Sequence, residues 1–243
     1  MTAPLIVLDI GSSLVDGPAR GPAARIADIA GLDRRQKRAL HQLLMTTDYG
    51  DAADACASIQ ERLGLGPDVE PAVTGVWDAQ ENEAEMIPGA LEALQAFAAW
   101  GYRLALLSNI WTPYLRSVRR ALGEFFDAHI PAELQLLSCR EGLAKPAPAL
   151  FARVLERAGS SASQTLMIGD SYANDIAPAI ACGMRTLWLL HDPVREAVSL
   201  VRVLNGAASA PSLALSSLAE LDIVGAWLRR ELAADATVSG CPG

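Results

Sequence analysis

The chain has 243 residues, 51% of them hydrophobic, with 28 acidic against 20 basic side chains and a formal net charge of −8. That apolar content excludes a disordered chain, the length allows one sizeable core plus a small accessory domain, and the acidic balance argues against nucleic acid as the main partner. No apolar run approaches membrane-spanning length, and the N-terminus lacks a charged segment followed by an apolar one, so a cytoplasmic protein with no membrane partner is expected.

The first element is the apolar run Leu5-Ile6-Val7-Leu8, which predicts a buried strand and stops at Asp9. A carboxylate at such a strand end, followed by Gly11, Ser12 and Ser13, has a fixed backbone and a side chain facing a cleft. That suits a nucleophile or a metal ligand, and equally a turn cap. From Asp16 to about Glu85 the pattern is helical, with apolar positions at Ile26, Ile29 and Ala30, then Leu40, Leu43 and Leu44, then Ala55, Ile59 and Leu63. Gly31, Gly50 and Gly64-Leu65-Gly66-Pro67 interrupt it. The basic run Arg34-Arg35-Gln36-Lys37-Arg38 within it reads as a solvated helix face.

From Pro88 onward helices and strands alternate. A helix through Leu91, Leu94 and Phe97 leads to a strand over 103–108, which ends in Ser108-Asn109, small polar groups able to bind an oxyanion, with Trp111 close behind. A helix through Tyr114, Val118 and Leu122 follows, and Lys145 stands just before a helical pattern through Leu150, Phe151, Val154 and Leu155. The run Leu166-Met167-Ile168-Gly169 predicts another strand, ending at Asp170 and turning into a helix from Tyr172 to Cys182 that carries Asp175. A further strand is expected over 185–190. Ser217 and Glu220 have capping-box spacing before a last helix through Trp227 and Leu232, and the tail from Asp235 to Gly243 is expected to fray. This alternation implies an α/β fold with a doubly wound parallel sheet, whose strand ends meet at one edge.

Only Lys37 and Lys145 among the twenty basic residues are lysines, so a compact ammonium rather than a planar guanidinium is expected to matter at Lys145. Cys56, Cys139, Cys182 and Cys241 lack metal-ligand spacing and read as reduced thiols. His41, His129 and His191 are scattered and read as structural.

As a set, these segments resemble the haloacid dehalogenase superfamily of hydrolases, most of whose members are phosphatases. Asp9, Leu14 and Asp16 fit its first motif, Ser108 its second, Lys145 with Pro146 and Pro148 its third, and Gly169-Asp170-Ser171 with Asn174-Asp175 its fourth. The likeness covers most of residues 4 to 190. It implies a core of residues 1–16 and 87–243 and an all-helical cap domain of residues 17–86, hinged near Gly17-Pro18 and Ile87-Pro88-Gly89. It also implies a Mg²⁺-dependent hydrolase of a small phosphorylated metabolite, acting through an aspartyl phosphate, as a monomer or homodimer.

Under that resemblance Asp9, Ser108 and Lys145 are catalytic. Asp9, the Gly11 carbonyl, Asp170 and Asp175 surround the metal, with Asp175 orienting metal-bound water or Lys145. Gly11, Ser12, Ser13, Asn109 and Trp111 face the substrate, with Tyr114 nearby. In the helical insert Arg20, Arg25, His41, Asp48, Tyr49 and Trp77 are candidates to line the pocket. One departure stands out: the family's phosphatases usually carry an Asp where this chain has Gly11, and that Asp protonates the leaving alkoxide and then activates water. Such help is worth about 100- to 10,000-fold in rate. Two other readings follow from Gly11, namely a dehalogenase, whose halide departs unprotonated, and a non-catalytic relative that binds a phosphorylated ligand or a protein partner.

Overall fold

A computed structural model describes residues 3–238. The chain opens with β1 (Leu5–Leu8), four apolar residues that are all buried, as the middle of a parallel sheet requires. A tight loop leads from Asp9 into β2 (Val15–Asp16), and four helices follow: α1 (Pro22–Ile29), α2 (Arg34–Thr46), α3 (Ala52–Leu63) and α4 (Glu70–Gln80). The chain returns along β3 (Glu85–Met86), antiparallel to β2. It then alternates through α5 (Ala90–Ala99), β4 (Arg103–Ser108), α6 (Thr112–Leu122), α7 (Glu124–His129), β5 (Gln135–Leu137), α8 (Ser138–Glu141) and α9 (Pro148–Ala158). β6 (Thr165–Gly169), a π-helical turn over Tyr172–Ile176, α10 (Ala177–Ala181), β7 (Arg185–Leu189), α11 (Ala197–Leu204), β8 (Leu213–Leu215) and α12 (Leu221–Val238) complete it.

Six strands form one sheet in the order β5-β4-β1-β6-β7-β8, and every pairing in it is parallel. The chain steps outward from β1 to β4 and β5, then crosses back to β6 on the other side of β1. That reversal opens a crevice at the carboxyl ends of the strands. Leu8 lies level with both Leu106 and Ile168, so Asp9 emerges between the end of β4 and the end of β6.

Alternate residues of each strand face opposite sides. Ile6, Leu8, Leu104 and Leu106 pack with Leu94 and Phe97 of α5, Val118 of α6 and Leu228 of α12, while Leu5, Val7, Ala105 and Leu107 pack with Leu150, Phe151 and Val154 of α9. Helices α1 to α4 have an apolar cluster of their own, built on Ile26, Leu40, Leu44, Ile59, Val73 and Trp77 and joined by Trp111 from beyond β4. α2 begins with a capping box: Asp33 accepts from the Gln36 amide at 2.8 Å and the Gln36 side chain accepts from the Asp33 amide at 3.0 Å.

Several expectations are corrected. Ile29, grouped with Ile26 as inward-facing, is 66% exposed because α1 ends at it. The expected helix from Tyr172 to Cys182 starts as a π turn, and its cap is Ser171, whose hydroxyl accepts from the Asn174 amide at 3.3 Å. Ser217 and Glu220 make no capping box, since α12 starts only at Leu221; Ser217 accepts from the Ala219 amide and Glu220 from the Ser216 hydroxyl. α12 runs past Asp235 to Val238, and residues 239–243, Cys241 included, lie outside the described residues. Cys56, Cys139 and Cys182 are free thiols. Among the described residues no helix is long and apolar enough to cross a membrane.

Candidate active site

The crevice holds a cavity of about 710 Å³. Asp9, Gly11, Ser12, Ser108, Lys145 and Asp170 line its floor, and Pro22, His41, Met45 and Gln80 from the helical insert line its roof. At its base Lys145 Nζ donates to Asp9 Oδ1 and to Asp175 Oδ1, each at 2.6 Å, and all three side chains are almost wholly buried. Burial alone would pull the Lys145 ammonium down, but Asp175 and Asp9 outweigh it and hold its pKa above the ordinary lysine value.

Each partner is itself held in place. The Asp9 amide donates to the Ile168 carbonyl at 2.9 Å, which ties the end of β1 to β6. Asp175 accepts from the Ser171 amide through its second oxygen at 3.0 Å, and its carboxylate presses against Gly169, where an added Cβ would fall 2.5 Å from it. No side chain larger than hydrogen fits at Gly169 without moving Asp175. Lys145 belongs to the loop before α9, and Asn109 fixes that loop by exchanging two hydrogen bonds with the Lys145 backbone, at 2.7 and 3.0 Å.

One carboxylate oxygen from each of Asp9, Asp170 and Asp175 lies within 4.8 Å of the others. Burial pushes the Asp170 carboxyl up to about 7, with Asp9 and Asp175 acting the same way against the weaker pull of Arg195 and Lys145. Burial likewise raises Asp175, to about 6, despite Lys145 beside it. Three carboxylates here face the buried Lys145 ammonium and, at the rim, the exposed Arg195 guanidinium 3.8 Å from Asp170, so with all three ionised the site keeps an excess of negative charge. The chemistry fits a hard divalent cation, because the donors are all oxygens and the raised carboxyls mark charge that the protein leaves unbalanced. Asp9 and Asp170 are the side chains best able to hold it, since both Asp175 oxygens already accept bonds from the protein.

The other expected site residues divide. Ser108, at the end of β4, reaches the cavity, as does Gly11, whose Cα has open space around it. Ser12 also reaches it, with a left-handed φ of 56°, rare outside glycine. Its amide donates to the Val15 carbonyl at 2.7 Å and that of Ser13 to the Ile10 carbonyl at 3.3 Å, so neither is free for a phosphate. Ser13 lies under the loop with its buried hydroxyl unpartnered and lines no part of the cavity. Asn109 spends its side chain on the Lys145 backbone. Trp111 lines the cavity wall but is 1% exposed, stacks edge-on with Trp77 at 5.5 Å and donates to Gln80 Oε1 at 2.8 Å, so it also joins the helical cluster to the core.

Of the insert residues expected near the pocket only His41 lines it. Arg20 pairs with Asp28, Arg25 with Glu83, and Asp48 accepts from Thr112, while Tyr49 and Trp77 are buried in the helical cluster. Tyr114 lines the cavity and donates to the Asp16 carbonyl at 3.1 Å; burial pushes its phenol up to about 12. Arg195 is a residue that sequence reasoning missed. From the segment after β7 it donates to Ser12 Oγ at 2.9 Å and lies 3.8 Å from Asp170 Oδ2, clasping the loop after β1 to the end of β6.

Residues 67–183 match the model of a family described as haloacid dehalogenase-like hydrolase. The ribulose-1,5-bisphosphate 5-phosphatase of Halopiger xanaduensis is 34% identical over 122 residues, which are 49% of this chain and 48% of that protein. The glyceraldehyde 3-phosphate phosphatase of Pyrococcus abyssi is 32% identical over 104 residues, 42% of this chain and 41% of that protein. The chain thus spans less than half the length of these relatives. The solved 2-haloacid dehalogenase of Pseudomonas syringae superposes with a TM-score of 0.59 at 18% identity, over 93% of this chain and 99% of that one, a likeness of fold alone.

Proposed function

We propose that the chain is a haloacid dehalogenase-like hydrolase, the family whose model matches residues 67–183, and that it hydrolyses a small phosphorylated molecule, with Asp9 as nucleophile and Mg²⁺ as cofactor. The observation that carries this reading is the buried Lys145 held 2.6 Å from both Asp9 and Asp175, with an Asp170 oxygen within 4.8 Å of theirs. A dehalogenase needs no such surplus of carboxylates, because a halide leaves without a proton and without a cation. In this reading helices α1 to α4 form a cap over the site, with Trp111 and Gln80 at the seam.

Lys145 binds one Asp9 oxygen at 2.6 Å and leaves the other oxygen to attack phosphorus. The new bond joins Asp9 to phosphorus as the bond from phosphorus to the leaving oxygen breaks. Water then attacks the aspartyl phosphate, releasing phosphate and restoring Asp9. Mg²⁺, held by Asp9, Asp170 and the Gly11 carbonyl, would neutralise charge on the phosphoryl oxygens. Ser108 donates a hydrogen bond to one of those oxygens, and Arg195 is near enough to the mouth to meet another. With Gly11 in place of an acid, and the Tyr114 proton committed to Asp16, the departing oxygen takes its proton from solvent. Turnover therefore falls as the leaving group becomes more basic.

Phosphate release from p-nitrophenyl phosphate and from a panel of sugar and nucleotide phosphates, with and without Mg²⁺ and with Asp9→Asn alongside, tests the reading. Release that is lost both without Mg²⁺ and in the variant is expected. Metal-independent release that survives Asp9→Asn would overturn it.

A further inference from the structure

A second cavity, of about 480 Å³, adjoins the first, and the two share Gly21 and His41 in their walls. One side is the start of α1, where Ala23 and Ala24 add little bulk, and the other is α2 with Arg34, Lys37, Arg38 and His41. These four lie at positions i, i+3, i+4 and i+7, one continuous helix face that runs from the outer rim to the mouth of the active site. Among the described residues none of the three cations has a salt-bridge partner, whereas Arg20, Arg25, Arg116, Arg153 and Arg157 are paired.

Two further observations set this face apart from an ordinary solvated one. Arg34 and Arg35 occupy the first turn of α2, where the one acidic neighbour, the cap Asp33, is engaged by the Gln36 amide and pairs with neither arginine. The unpaired cations also stand beside a carboxylate-rich site in a chain of net charge −8, which would otherwise repel an anionic substrate.

We propose that this groove is a second anion subsite of the same active site. The substrate would be a phosphomonoester whose far end carries another anionic group, a phosphate or a carboxylate, seated against Arg34, Lys37 and Arg38. The proposal rests on the phosphatase reading above and narrows it to doubly anionic substrates. The apolar floor of Ala23, Ala24 and the arginine stems then takes the body of the molecule between its two charged ends.

The test uses n-alkyl phosphates of increasing length, each made with a methyl, a carboxylate or a phosphate at the far end. With wild-type protein and Mg²⁺, kcat/KM is expected to favour a charged end by about tenfold or more at the length that reaches the groove. Carboxylate and phosphate ends distinguish the two anions. The triple substitution Arg34→Gln, Lys37→Gln, Arg38→Gln should bring the ratio to parity while leaving p-nitrophenyl phosphate hydrolysis unchanged. Arg35→Gln, on the same helix but outside the groove, should leave the ratio as it was. A wild-type ratio near one at every length, or a preference that survives the triple substitution, overturns the subsite. If no phosphate is released from any compound, the phosphatase reading fails on its own, and calorimetric titration with the alkanediol bisphosphates decides the subsite separately. Binding that the triple substitution abolishes supports it, and binding absent or unaltered overturns it.

Discussion

Replacing Lys145 with Met removes an ammonium while nearly preserving the length and volume of the side chain. In the wild-type protein that ammonium lies 2.6 Å from one oxygen of Asp9 and 2.6 Å from one of Asp175, with the lysine and Asp175 side chains 2% and 1% exposed. Removing one partner of a buried ion pair leaves an uncompensated buried charge and costs about 3–5 kcal/mol. Two carboxylates lose their partner here, so the upper part of that range is expected, a large share of the roughly 5–15 kcal/mol that holds a domain folded. The pH dependence follows from linkage. Lys145 has a folded pKa above its unfolded one, so its contribution is fully present below the ordinary lysine value and gives no slope between pH 5 and 8. In the variant, Asp175, already raised by burial, loses the cation that pulls it down, so the folded state binds a proton that the unfolded state releases and stability falls as pH rises. Urea unfolding in the presence of a chelator, at pH 5 and pH 8, measures both effects. A loss below about 1 kcal/mol, or the same loss at both pH values, would show that the lysine does not balance these carboxylates.

The raised carboxyls make a second prediction about the metal. Asp170 near 7 and Asp175 near 6 stand above the unfolded value of about 3.8, so the metal-free protein loses stability as pH climbs from about 4 to 7. A cation that binds only the folded state restores it, so the rise in Tm on adding Mg²⁺ should be larger at pH 8 than at pH 5 and should vanish in Asp170→Ala. An equal rise at both pH values would refute the link. Gly11→Asp addresses the leaving group: an added Cβ meets nothing within 4 Å and the backbone there is not left-handed, so a side chain can start there without strain. Rates on alkyl phosphates should rise by about 100-fold or more, and rates on p-nitrophenyl phosphate, whose leaving group needs little protonation, by much less. A uniform change across leaving groups would argue against a missing acid.

The sheet and its edge were legible because buried parallel strands are written as unbroken apolar runs, and Asp9, Ser108 and Asp170 sit where three such runs stop. Lys145 stood out because this chain otherwise uses arginine. β5 and β8, three residues each at the two edges of the sheet, are too short for periodicity to register. Arg195 was invisible for another reason: it meets Ser12 across 183 positions and is chemically one arginine among many, so only the fold brings it to the site. Asn109 and Trp111 lie close to Ser108 in sequence, which suggested a ligand, yet Asn109 turns to the Lys145 loop and Trp111 to Gln80. Proximity along a chain fixes where a Cα lies and not which way its side chain points.

Trp111 has a consequence for how such a protein could be rebuilt. The four helices between β2 and β3 look like a unit that recombination or a designer could exchange for another. Yet their apolar cluster is completed by an indole that enters from the other side of the boundary, three positions after Ser108. Transplanted alone, the insert would carry a hole the size of a tryptophan, a defect worth about 3–5 kcal/mol, and the abandoned host would expose a large ring just beyond the carboxyl end of β4. A successful exchange would have to move the first turn of α6 together with the insert, so the inheritable module is discontinuous in sequence.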